Sequence, residues 1–265
     1  MYLKLAVFCA LLGGLPSLAI AQRSASTDRT GPRQVLELRT YTLVDAAAEK
    51  KLDAYLEHAL LPALGRQGLS PIGVFDQAAA AEDGSIEVLL LLPGPSLEAV
   101  LGAQAKLNHD ADYARAGADY LSTPADKPLL KRIRSELLLS FECWPQVTVP
   151  AQKKEDKPRL FELRVYESPT EQLGELKVEM FNAGEVPIFL DSGIQPVFMG
   201  QALVGDKLPN LTYMTVYNDD ANRQAAWKNF LQHDDWQVLK AVKKYQGTVS
   251  KIHKSDWVPK PYSQL

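Results

Sequence analysis

Two short runs carry most of the chemistry this chain offers: Glu37-Leu38-Arg39-Thr40-Tyr41 and Glu162-Leu163-Arg164-Val165-Tyr166. In each, a carboxylate, a guanidinium and a phenol stand two residues apart, the spacing that puts three side chains on one face of an extended strand. A buried arginine must be paired or hold an anionic or polar ligand, because an unpaired buried charge is strongly unfavourable. Two readings are therefore open. Either Glu37 with Arg39 and Glu162 with Arg164 are internal pairs that fix how sheets meet, or the six residues including Tyr41 and Tyr166 define a ligand site. Elsewhere the chemistry is thin. His58, His109, His233 and His253 show no i, i+4 pairing and no cysteine partner, so no metal site is expected. Asn108-His109-Asp110 and Gln232-His233-Asp234 recur, and a repeated histidine could carry a proton, but the polar side of a helix facing water is the expected setting. Trp227 and Trp236 could line a pocket; at helical spacing Trp227 is assigned to the core. Cys143 has no basic neighbour in the sequence and reads as a small buried residue. There is no G-x-S-x-G elbow, phosphate-cradling glycine loop or G-x-G-x-x-G, which removes the main support for hydrolase, kinase and dinucleotide-enzyme readings. No cofactor is expected.

The elements that must position these groups come twice. The Glu-Leu-Arg-x-Tyr runs lie 125 residues apart (162 − 37), and the same offset carries Pro62 to Pro187, Gly68 to Gly193 and Pro71 to Pro196 without a gap. A register held over that length marks a duplication. Period-two alternation predicts first strands at Leu36–Tyr41 and Leu160–Tyr166. Helical spacing follows in Leu52, Tyr55, Leu56, Ala59 and Leu60, and in Leu173, Leu176, Met180 and Phe181. After the turn signals Gly68–Pro71 and Gly193–Pro196 come second strands (72–75, 197–203) and third strands (86–92, 211–217). Second helices are expected from Ser96 and from Asp219, the latter burying Trp227, Phe230, Leu231, Val238 and Val242. Last strands near 130–141 and 247–254 complete β-α-β-β-α-β in both halves, the ferredoxin-like motif. The fold class is thus α+β: two tandem ferredoxin-like units whose antiparallel sheets cover each other or close into a barrel. With the leucines of the first strands meeting the helices, the Glu-Arg-Tyr sets are expected to point into the gap between the two sheets.

The ends and composition set the context. Lys4, the apolar stretch Leu5–Leu15 and Ala19-Ile20-Ala21 form a secretory signal peptide over residues 1–21, pointing to cleavage before Gln22 and a secreted or periplasmic product with no membrane anchor. Residues 22–33 read as a polar leader, 34–149 and 159–265 as the two domains, and the lysine-rich 150–158 as a linker. Cys9 would leave with the signal peptide, so the mature chain has one cysteine and no internal disulfide. Apolar residues make up 46% of the chain and its formal net charge is −3, with no basic cluster flanked by aromatics; this argues for a globular core and against nucleic acid as a partner.

The openings VLELRTYTL and LFELRVYES, and the stretch LTYMTVYNDDANRQAAWKNFLQHDDW, resemble the first strand, and the third strand with second helix, of the NIPSNAP family. In that family the helix carries an Arg soon after the strand and an acidic residue before a Trp, here Arg223, Asp235 and Trp236. The resemblance adds Arg223 and Trp236 to the candidate ligand site. The first half departs from the pattern: the offset of 125 sets Glu98 opposite Arg223, with Asp112-Tyr113 opposite Asp235-Trp236 after a small insertion. The resemblance implies an intrachain dimeric α/β-barrel, a fold shared by cofactor-free monooxygenases and haem-dependent peroxidases, and no particular reaction. Two functional classes are carried forward. One is a protein that binds a small molecule between its sheets, or acts on it as an oxygenase-like enzyme. The other is a protein-interaction module with a solid interior, and either could form a homo-oligomer.

Overall fold

The computed structural model describes residues 31–81 and 83–265. The expected signal peptide and most of the leader lie outside the described residues. Eight strands form: β1 (Val35–Leu43), β2 (Gly73–Gln77), β3 (Ile86–Gly94), β4 (Leu130–Ser140), β5 (Leu160–Glu167), β6 (Gln195–Val204), β7 (Asn210–Tyr217) and β8 (Lys251–Pro259). They close one antiparallel barrel in the order β1-β3-β2-β8-β5-β7-β6-β4. The first half supplies β4-β1-β3-β2 and the second β8-β5-β7-β6, so two sheets are stitched edge to edge at β2–β8 and β4–β6. Those seams are short: three paired residues at Phe75–Gln77 with Trp257–Pro259, and four from Leu137 to Ser140.

Helices lie outside. After β1 come α1 (Ala46–Tyr55), a π-turn (Leu56–Leu60) and α2 (Leu61–Arg66); after β5 come α8 (Glu171–Met180), a π-turn (Phe181–Glu185) and α9 (Val186–Asp191). Pro62 and Pro187 lack the N–H that a regular turn would use, and both helices absorb the loss as a widened turn just upstream. The segments after β3 and β7 differ. The first half breaks into α3 (Leu97–Leu101), α4 (Ala103–Leu107), α5 (Ala111–Ala116) and α6 (Ala118–Leu121), whereas the second keeps one long helix, α10 (Asp220–Gln232), then α11 (Asp234–Lys240). The lysine-rich stretch taken for a linker contains a short helix, α7 (Ala151–Lys154).

The barrel wall corrects the expected strand phase. Leu36 and Leu38 face the barrel interior, packing with Phe75, Leu89, Phe161 and Leu163, while Tyr41 and Leu43 face the helices with Leu52 and Tyr55. The Glu-Arg-Tyr sets therefore lie outside the barrel, under the helices, not between the sheets. In a closed barrel capped by helices both faces of a strand are covered, so an apolar residue on one face does not reveal which face meets the helices. The expected helical stripe is also broken. Phe230 is buried, but Leu231 and Val238 are 59% and 60% exposed; extended backbone at His233 ends α10 before Val238 and restarts the chain in a new direction. The last strand begins later than expected, at Lys251, after a turn through Gly247 (φ 72°).

One barrel end is filled by Leu265 against Phe75 and Phe161. The other opens as a mouth of about 370 Å³ with an apolar floor of Leu38, Leu89 and Leu163 and a polar rim including Glu87, Arg134, Glu136 and His253. Each half also sends an arm onto the other. Phe141 and Trp144, after β4, pack in the second half's core. Lys260, after β8, places its ammonium between Glu49, Asp53 and Asp76 of the first half, at 2.7, 2.9 and 2.6 Å.

Candidate functional site

On the outer face of β5, Glu162, Arg164 and Tyr166 stand in a row, as strand alternation requires. The Arg164 guanidinium donates to Glu162 through Nε (2.7 Å) and Nη2 (3.1 Å), and through Nη1 to the Tyr166 hydroxyl (3.3 Å). The Tyr213 hydroxyl of β7 donates to Tyr166 at 2.8 Å. Burial holds both phenols above their ordinary pKa, that of Tyr213 well above it, so they stay protonated at neutral pH. Helix α10 closes over this row. Trp227 stacks on the Arg164 guanidinium, 3.4 Å from ring centroid to Cζ, and its indole N–H donates to Glu162 at 2.9 Å. One turn earlier, Arg223 pairs with Asp256 of β8 and with Asp220, and approaches Glu162 at 3.8 Å.

These residues surround an open cleft of about 700 Å³ between α10 and strands β5 and β8, with Glu162, Arg164, Arg223 and Trp227 below and Lys228, Leu231, Lys254 and Asp256 around them. Such a volume suits a small molecule. Three of the eight candidate residues, Glu162, Arg164 and Arg223, meet here. Tyr166 lies one layer deeper. Trp236 does not reach the cleft: its ring packs on Phe230 at 4.5 Å and lies 5.8 Å from the Lys177 ammonium. Trp227, assigned to the core from its spacing, is the tryptophan that lines the cleft. Lys254 and Asp256 were missed, because a barrel seam had to be known before β8 could be set beside β5.

In the first half the same row is a closed internal pair. Arg39 donates to both Glu37 carboxylate oxygens at 2.9 Å and to Tyr41 at 3.1 Å, and Ser135 of β4 donates to Glu37 at 2.7 Å. Strand register sets Leu90 opposite Arg39 where Tyr213 faces Arg164, and Ser135 where Lys254 stands. The helix N-caps Ser96 and Asp219 differ by 123 (219 − 96), as do Leu90 and Tyr213, so the offset drops by two after the second strand. This corrects the counterpart of Arg223: it is Val100, a core residue, and not Glu98. Beyond it the first-half helix breaks at Gly102, and the same offset sets the exposed Gln104 where Trp227 stands.

The remaining candidates are structural. His233 caps α11, its Nδ1 accepting from the Asp235 N–H at 3.2 Å, and His109 lies in the turn between α4 and α5. Burial pushes the Cys143 thiol up to about 12, which leaves it unreactive at neutral pH. Among the described residues no group of three or more His, Cys, Asp and Glu could hold a metal, and no helix is long and apolar enough to cross a membrane.

The barrel of eight antiparallel strands with helices outside is that of the dimeric α/β-barrel proteins, with two halves of one chain standing where two subunits pair. A candidate monooxygenase from Lactobacillus acidophilus shares it (TM-score 0.54, 9% identity, covering 86% of this chain and 94% of that one). So does one from Fusobacterium nucleatum (TM-score 0.56, 8% identity, 87% and 94%). The NIPSNAP family model matches residues 161–264, so the second half of the chain is a NIPSNAP domain. A NIPSNAP family structure from Agrobacterium tumefaciens aligns over 41% of this chain and 91% of its own length, at 13% identity and a TM-score of 0.37. Among curated proteins none matches the chain. The family match falls on the half that holds the cleft.

Proposed function

We propose that this is an exported small-molecule-binding protein made of two ferredoxin-like units, the first a scaffold and the second the carrier of the site. The site is the cleft under α10 rather than the space between the sheets. One observation carries this reading: Arg164, Arg223 and Trp227 converge on an open cavity in the second half, while the positions matching Tyr213 and Arg223 in the first half hold the core residues Leu90 and Val100. Polar groups assembled under one helix, and replaced by leucine and valine under its counterpart, are not needed to hold the fold. An oxygenase-like reaction in the cleft is a second reading, with the fold of the two candidate monooxygenases behind it.

Native mass spectrometry of the protein purified from its own host tests the proposal. The wild-type chain should carry an added mass that dissociates on activation, and Gln224→Trp, which fills the cleft from the exposed side of α10, should lose it. A bare chain, or an adduct unchanged in Gln224→Trp, would count against the cleft. The same spectra read the export proposal, since processed protein should begin at Gln22.

A further inference from the structure

We propose that the cleft takes a small anionic ligand with an aromatic or apolar body, its acid group held between Lys228 and Lys254; this rests on the cleft being the ligand site. The deeper charges of the cleft are already spoken for. Glu162 accepts two bonds from Arg164 and one from Trp227, and Arg223 is paired with Asp256 and Asp220. A ligand therefore meets two arginines at the cleft floor that are already paired with carboxylates. Lys228 on α10 and Lys254 on β8 stand on opposite walls, both exposed, and neither makes an ion pair among the described residues. Two ammonium groups facing one cavity favour a carboxylate, sulfonate or phosphate that bridges them, since each bond to it is charge-assisted.

The second half of the ligand is read from the apolar wall. Leu231 lies one helical turn beyond Trp227, lines the cleft and is 59% exposed, a large apolar side chain left uncovered inside a concavity. A ligand with a ring or short chain beside its acid group would cover it while the lysines hold the charge. The first half lacks the pairing: the place of Lys254 is taken by Ser135, which is bonded to Glu37.

A matched pair of fluorescent probes separates the charge from the cavity. Anilinonaphthalene sulfonate carries the acid and the rings, and the uncharged N-phenylnaphthylamine carries the rings alone. The full chain should bind the sulfonate more tightly. Lys228→Met with Lys254→Met should weaken the sulfonate about tenfold or more and leave the neutral probe nearly unchanged, since two charge-assisted bonds are lost and no apolar contact is. Leu231→Gln should weaken both probes. All three residues are exposed, so the variants keep the fold. If the lysine variant alters neither probe while Leu231→Gln weakens both, the cleft stands and the anionic class falls. If neither probe binds, or no variant changes either, the cleft itself is not the site and both proposals fall.

Discussion

Two arginines on equivalent strands test how far pairing, rather than ligand, accounts for them. Arg164 and Glu162 are nearly sealed, with side chains 8% and 5% exposed, while Arg39 keeps 24% of its surface in water beside Glu37 at 9%. Removing one partner of a buried pair strands the other, which costs about 3–5 kcal/mol when burial is complete. Arg164→Met should therefore lower stability by about that much, and Arg39→Met by less, because water already reaches the Arg39 side chain and can follow into the space it leaves beside Glu37. Adding Glu162→Gln to Arg164→Met should restore most of the loss, since no bare carboxylate remains. Urea melts of the four chains check this. Equal losses for the two arginines, or no rescue by Glu162→Gln, would show that burial of the carboxylates does not set the cost.

The helices after the first strand of each half offer an internal control on a second buried pair. Lys177 donates to Glu185 at 2.7 Å, both almost fully buried, across the π-turn of the second half. Burial holds the Glu185 carboxyl above its ordinary pKa against the pull of Lys177. At the same offset the first half has Leu52 and Leu60, equally buried in a helix of the same shape. Lys177→Leu alone should cost about 3–5 kcal/mol by leaving Glu185 unpaired, whereas Lys177→Leu with Glu185→Leu should be neutral or more stable. Thermal unfolding of both variants reads this directly, and a double variant as unstable as the single one would contradict it. Elements of this kind were legible in the sequence as far as local physics reaches. The offset of the Glu-Leu-Arg-x-Tyr runs, the caps Ser96 and Asp219 and the alternation of β1 and β5 located nearly every strand. What failed was non-local. Leu36 and Leu38 against Tyr41 and Leu43 are apolar on both faces, so strand phase depended on a barrel not visible in any one strand. The loss of two residues between the turn at Pro196 and β7 lay in a hairpin without repeated residues to mark it, and it displaced the match for Arg223 from Val100 to Glu98. Trp227 was readable as a tryptophan at helical spacing, but its stacking on Arg164 required the sheet beneath it.

At the scale of the whole molecule the two halves complete each other. The seams β2–β8 and β4–β6 are short, and the arms carry much of the remaining joint: Phe141 and Trp144 in one direction, Lys260 and Leu265 in the other. Residues 34–149 and 158–265 made separately would each expose one side of an apolar barrel interior. Each fragment should aggregate or self-associate, and mixing should return a compact one-to-one complex by size-exclusion chromatography with light scattering; two stable monomers would contradict the shared barrel. The asymmetry between the halves is the central claim, with one side closed by its own pairs and the other open to a ligand. Hydrogen exchange of the intact protein, with and without a small-molecule extract of its host, tests that claim most directly. The account predicts added protection confined to α10 (Asp220–Gln232) and to β8 around Lys254–Asp256. Protection appearing instead over α3 and α4, at the barrel mouth around Glu136 and His253, or nowhere would contradict it.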